Sequence, residues 1–251
     1  DISGNWTRNG TFTPGTGTVT FSGTGPSSVN YNGTMSDITT YTRSTFTKGM
    51  MHLTDSIIGP AGDNGSSNIP IGYSFNYLGI YYDSVRICTN GWISLNKSGA
   101  ANTLNSDLFT TIAPNTTLAP WWDDLKDDGT SFMSYKTTGS TPNRILTVEW
   151  HRVLSYSTSG VTSRVTFQVK LFETSNVIEF HYGIVNNGTH GAEGASIGIE
   201  DATGWTNHFI EATTGSTITG VTNLVSNLNW PTVNYRFSPP IPVENFNNLK
   251  I

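Results

Sequence analysis

Between residues 145 and 183 the chain alternates apolar and polar side chains three times over, and that alternation dictates what it can fold into. "ILTVEWHRV" (145–153), "SRVTFQVKLFE" (163–173) and "NVIEFHYG" (176–183) read as three strands joined by short turns. In the middle one Val165, Phe167, Val169 and Leu171 fall on one side, and Thr166, Gln168 and Lys170 on the other. The pattern predicts an antiparallel meander with one buried face and one wet face. Helical periodicity is nearly absent elsewhere, while period-2 segments bounded by Gly, Asn and Pro recur, so the whole chain reads as all-β. Earlier strands are expected at 72–79, 82–91 and 92–96, and later ones at 195–201, 208–213 and 233–239. The stretches 97–117 and 214–232 read as long loops.

A chain of 251 residues suits a single sandwich or barrel with long loops. Chains of this size bury roughly 70–75% of their unfolded surface, enough for a core without staples. Only 12% of residues are charged, against a typical value of about 25%. Gly, Thr, Ser and Asn fill the gap, so the surface makes its hydrogen bonds with hydroxyls and amides. The net charge of −5 argues against a nucleic-acid partner, which would require a basic face. Cys88 is the single cysteine, so no internal disulfide forms. The low charge then favours secretion by a system that avoids thiols over residence in the cytosol. No apolar run approaches the ~18 residues of a membrane span. Asp1-Ile2-Ser3 lacks both regions of a signal peptide, so a secreted protein would be present in its mature form. Seven N-x-S/T tripeptides occur, and in a chain this rich in Asn and Thr chance explains most of them.

The two ends differ from the body. In residues 1–36 one short strand, Thr18-Val19-Thr20-Phe21, sits in a Gly/Thr matrix. A strand alone is unstable in water, so it must pair with a sheet edge of its own domain or of a neighbour. Residues 240–251 follow a proline-rich hinge and carry spaced apolar residues, Phe246 and Leu249 among them, as a docking tail would.

"LAPWWDDLKDDGT" (118–130) is the segment richest in chemical possibilities. Asp123, Asp124, Asp127 and Asp128 form an oxygen-rich run closing on a glycine, which suits calcium, although it lacks the twelve-residue loop pattern with its closing Glu. A glycosidase needs two acids about 5–10 Å apart across a cleft, whereas the adjacent Asp123 and Asp124 point to opposite sides of an extended chain. Asp-Asp-Gly is also plain turn chemistry, with Trp121 or Trp122 packed beneath. Two E-x-H tripeptides, Glu149-Trp150-His151 and Glu179-Phe180-His181, each place an acid and an imidazole on one strand face. Their strands flank 163–173 and so stand ~9.6 Å apart, too far for one zinc ion holding ligands at ~2.3 Å or less. A Glu–Lys–Glu ladder through Lys170 is the expectation there. Cys88, in an apolar strand without a nearby His, reads as an inert buried thiol. Among the tryptophans Trp205, in a polar loop, and Trp122 are candidates for stacking on a sugar. No G-x-S-x-G, H-E-x-x-H or P-loop motif is present.

Three stretches taken together, "CTNGWISL" (88–95), "LAPWWDDL" (118–125) and "TFQVKLFETSNVIEFHYG" (166–183), resemble the NIDO domain of nidogen-like extracellular proteins. With "IPIGYSFNYLG" (69–79) and "EGASIGIEDATG" (193–204) the version here resembles a module of secreted and surface proteins of environmental bacteria. The resemblance covers about residues 38–239. It implies an extracellular adhesion or matrix role, brings no catalytic residues, and makes A-P-W-W-D-D a recurrent structural corner. "GTFTPGTGTVTFSGTG" (10–25) separately resembles the Gly/Thr-rich β-repeats of such proteins.

The expected fold is therefore an all-β antiparallel sandwich, jelly-roll-like, over residues 37–239, preceded by a β-rich extension. The expected protein is a non-enzymatic, extracellular or cell-surface subunit without a required cofactor. It would self-assemble by strand addition, with Thr18, Val19, Thr20, Phe21, Phe246 and Leu249 at the interface between copies. A carbohydrate-binding module, with polysaccharide as partner, is the alternative.

Overall fold

The computed structural model describes residues 6–9, 29–32, 37–99, 111–155, 164–183, 195–205, 208–212 and 231–240. Thr18–Phe21, Phe246 and Leu249 lie outside the described residues. Two antiparallel sheets pack face to face, as the alternating pattern requires. The larger sheet contains β3 (Thr42–Thr47), β4 (Ile57–Ile58), β9 (Leu125–Lys126), β10 (Phe132–Thr138), β11 (Ile145–Ser155), β12 (Arg164–Phe172), β13 (Ile178–Tyr182) and β16 (Val233–Ser238). Its order is β3-β16-β13-β12-β11-β10-β4, with β9 on the end of β11. The second contains β5 (Ser66–Tyr77), β6 (Ile80–Cys88), β7 (Trp92–Ser94), β8 (Thr117–Trp122), β14 (Ser196–Glu200) and β15 (Phe209–Glu211), in the order β15-β14-β8-β7-β6-β5. In the N-terminal extension, β1 (Trp6–Asn9) and β2 (Val29–Asn32) pair in parallel as a separate two-stranded sheet.

Side chains from the facing surfaces of both sheets make one continuous core, with Ile71, Phe75, Val85 and Trp121 meeting Val148, Trp150, Phe167 and Phe180. Three buried polar tips bridge between the sheets, which fixes how the layers sit. Trp150 Nε1 donates to the Cys88 carbonyl at 2.9 Å, and Tyr182 Oη to the Pro120 carbonyl at 2.8 Å. Tyr73 Oη accepts from the Leu146 amide at 3.1 Å and donates to the Leu171 carbonyl.

The meander β11-β12-β13 has the expected strand order, with Val148↔Val169↔Phe180 running straight across. Its second face is not wet. Glu149, Gln168, Thr166 and Glu179 are all buried, because residues 48–56 cross over that face between β3 at one edge and β4 at the other. Crossing six inter-strand gaps of ~4.8 Å takes ~29 Å, and nine extended residues reach ~30 Å. The strap therefore runs mostly extended, bending at Thr54-Asp55, where Asp55 takes a φ of 50°.

The corner at 88–95 and 118–130 is the second organising feature. β8 is central in its sheet and buried along its whole length, so Trp121 enters the main core while its neighbour Trp122 packs on the opposite face with Cys88, Trp92 and Ala119. Pro120 sits where β8 and β14 shift register between Ser196 and Gly198, the irregularity that lets a proline into an inner strand. The Asn90-Gly91 turn closes on this corner. Asn90 Oδ1 accepts from the Leu125 amide at 3.0 Å, and the Asn90 carbonyl from the Asp123 amide at 3.3 Å. A Cβ on Gly91 would stand 1.7 Å from the Trp121 carbonyl oxygen, at a φ of +79°.

Gly91→Ala is therefore expected to cost roughly 3 kcal/mol or more in urea unfolding, since backbone strain and a backbone clash act together. Gly129→Ala shares the positive φ but meets nothing within 4 Å. It should cost only about 1 kcal/mol.

Candidate functional site

The strap brings together the densest group of chemically capable side chains. Glu149 and His151, two apart on β11, share the face beneath it. Glu149 Oε2 accepts from the Leu53 amide at 2.9 Å and from Gln168 Nε2 at 2.6 Å. Its Oε1 meets His52 Nδ1 at 2.8 Å and His151 Nδ1 at 3.2 Å. Phe132, the cross-strand partner of His151 on β10, stacks on its ring at 4.7 Å. Just beyond, Arg152 takes a φ of 55° and β11 shifts register against β12 between Trp150 and Val153. Such a bulge re-aims the side chains beside it.

The remaining contacts hold the strap along its length. Gln168 Nε2 also donates to the Met51 carbonyl at 2.7 Å, Asn234 Nδ2 to the Gly49 carbonyl at 2.9 Å, and Lys136 Nζ to the Thr54 carbonyl at 2.8 Å. His181, the second imidazole of the E-x-H pair, bonds Glu179 Oε2 at 2.7 Å and the Gly49 carbonyl at 3.1 Å. Burial pushes the Glu179 carboxyl up, but His181 and Arg236 outweigh it and hold the group below its ordinary value. Lys170 stands opposite Glu179, and burial lowers its ammonium. Glu149 faces Gln168, so the expected ladder is closed by Arg236 on Glu179 instead of by a second glutamate.

The aspartates of 123–128 are occupied separately. Asp123 Oδ1 accepts the Asp124 amide at 2.8 Å, and Asp127 Oδ1 the Gly129 amide at 2.7 Å. Asp128 pairs with Arg164 through NH1 at 2.9 Å, which holds its carboxyl well below the usual range. Among the described residues no three of these acids converge. The group whose ligand atoms lie within 4.8 Å of one another is His52, Glu149 and His151. Trp122 is fully buried and offers no face to a sugar, because both surfaces of β8 are covered. Trp205 is 61% exposed. It stands over a turn in which Asp201 accepts the Thr203 amide at 2.7 Å and meets His208 Nδ1 at 2.5 Å. The Cys88 thiol is buried and pushed up to about 12, so it is inert as a nucleophile.

The corner formed by Asn90-Gly91 and Trp121-Leu125 joins two of the segments that carry the resemblance. The family model described as NIDO related matches residues 30–239. The chain belongs to the NIDO-related family. No curated protein and no solved structure matches it. Among the described residues of this NIDO-related chain, no helix is long and apolar enough to cross a membrane.

Sequence reasoning about this NIDO-related domain found Glu149 and His151 but not His52, Gln168 or Asn234. "GMMHLTDS" carries no periodicity, and its partners lie far away in sequence. One buried acid was also missed. Glu200 on β14 is fully buried, and burial raises its carboxyl to about 9, only partly opposed by the Thr117 hydroxyl. Among the described residues, no hydrogen bond of normal geometry reaches either carboxyl oxygen.

Below its ordinary value of 4.5 Glu200 is protonated folded and unfolded. As pH rises from there to about 9 the unfolded chain ionises and the folded one resists, so stability is lost over that window. Glu200→Gln should flatten this decline and stabilise the protein at pH 8 by on the order of 2 kcal/mol, read from urea midpoints at several pH values.

Proposed function

We propose that this chain is a non-enzymatic extracellular structural or adhesion domain that joins copies of itself by strand addition. The observation that carries the reading is the open border of the larger sheet. β4 ends the strand order there, and Ile57 and Ile58 are 58% and 64% exposed. Soluble proteins blunt such borders with charge, proline or a covering segment, and an apolar one is a template for another strand. The Thr18–Phe21 segment of a second copy has the alternation to pair with it, main-chain hydrogen bonds supplying affinity and alternate side chains specificity. A head-to-tail contact of this kind that does not close makes a filament. Membership of the NIDO-related family supports the extracellular setting. The polar partners of Glu149, Glu179, Asp128 and Asp201 support a scaffold role, since each acid holds backbone or a neighbouring strand.

Negative-stain microscopy of the purified chain should show polymers, and deleting residues 1–36 should leave single particles. Ile57→Lys with Ile58→Lys, both at exposed positions, should do the same with the fold intact. Polymers unchanged by either alteration would sink strand addition at this border.

A second reading has its own observation. Trp205 combines 61% exposure with a turn fixed by Asp201 and His208, its ring 6.2 Å from the imidazole. That is a rigid aromatic face available to a sugar ring. If the chain binds polysaccharide, its tryptophan fluorescence should shift saturably, and Trp205→Ala should abolish the shift.

A further inference from the structure

We propose that His52, Glu149 and His151 form a binding site for one zinc-like divalent transition ion, which clasps the strap to the larger sheet. Three observations lead there. First, two imidazole nitrogens approach the same carboxylate oxygen, at 2.8 and 3.2 Å. In a tetrahedral zinc site with bonds of about 2.0–2.1 Å, neighbouring ligand atoms stand roughly 3.3 Å apart. Both nitrogen–oxygen separations are therefore within about half an ångström of coordination spacing, and all three ligand atoms lie within 4.8 Å of one another, so the ion would replace the two hydrogen bonds. Second, the set is supported from behind. Gln168 and the Leu53 amide hold Oε2 and so fix the plane of the carboxylate, while Phe132 stacks on His151. Outer contacts of this sort orient metal ligands and are part of the site's affinity. Third, access is one-sided. The Glu149 side chain is 2% exposed, whereas His52 is 56% and His151 23% exposed. An ion can enter from solvent and keep water in its fourth position.

Two nitrogens and one carboxylate suit zinc, nickel or copper and disfavour calcium and magnesium, which require shells of oxygen. Glu179–His181 and Asp201–His208 each bring a single acid and imidazole together and, among the described residues, gather no third ligand. The site owes its third ligand to the strap, which makes the ion a cross-link between a connecting segment and β11. This inference is independent of any contact between copies.

The test uses the full chain without an affinity tag. Zinc chloride should bind with one-to-one stoichiometry by calorimetry and raise Tm by roughly 5–10 °C at a hundredfold excess over Kd. Calcium chloride should do neither. Cobalt(II) should give visible absorption bands of low-symmetry nitrogen and oxygen coordination. His52→Ala, at an exposed position, should fold as judged by circular dichroism and lose the zinc shift, and His151→Ala should behave alike. His208→Ala should retain it. Absence of zinc binding by the wild-type chain would overturn the proposal and leave a hydrogen-bonded cluster only. A zinc shift that survives in His52→Ala and His151→Ala would overturn it equally, by placing the ion elsewhere.

Discussion

The larger sheet depends on how one buried carboxylate is satisfied. Glu149 is fully shielded from water, yet each of its oxygens receives at least two polar partners, from β11, β12 and the strap. A buried acid left bare would cost several kcal/mol, and one supplied with hydrogen bonds becomes an anchor. The strap has no apolar run of its own, and Met51 is 84% exposed. What holds it is a line of polar contacts from Asn234 and His181 through Gln168 and Glu149 to Lys136. In a chain with so few charges, these are concentrated where one backbone segment must be fixed across another.

The second sheet solves a different problem. Its inner strands are covered on both faces, so Trp121 and Trp122 can be neighbours and both disappear. The Asn90-Gly91 turn makes that possible by approaching the Trp121 carbonyl more closely than any side chain would permit. The N-G turn and the A-P-W-W-D corner, distant in sequence, are thus one contact in space.

Period-2 alternation made the meander legible, including the order of β11, β12 and β13, because local side-chain direction follows directly from residue parity. It failed where parity carries no contrast. β8 is buried on both faces and contains Pro120, so "TLAPWW" read as a corner. β5 begins at Ser66, six residues before the expected start, because Pro70 sits in its register shift and masks the alternation. β3 is Thr-rich, with Phe46 as its one large apolar residue, and gave no alternating signal. The candidate site was half visible: Glu149 and His151 share a strand face by simple counting. His52 arrives from a segment whose position is set by the two edges it connects, and nothing local encodes that. Trp205 was distinguishable from Trp122 by its polar surroundings, whereas the burial of Trp122 follows only from knowing that β8 is central.

The pairing of β3 with β16 joins Thr47 to Val233. The strap leaves β3 directly and lies on strands formed by residues 132–182. It cannot be laid down until those strands are side by side, and its near end has no dock until residue 233 has left the ribosome. Assembly of this half of the molecule must therefore wait for β16, and a nascent chain interrupted before that point carries an unprotected sheet face with Glu149 open to water.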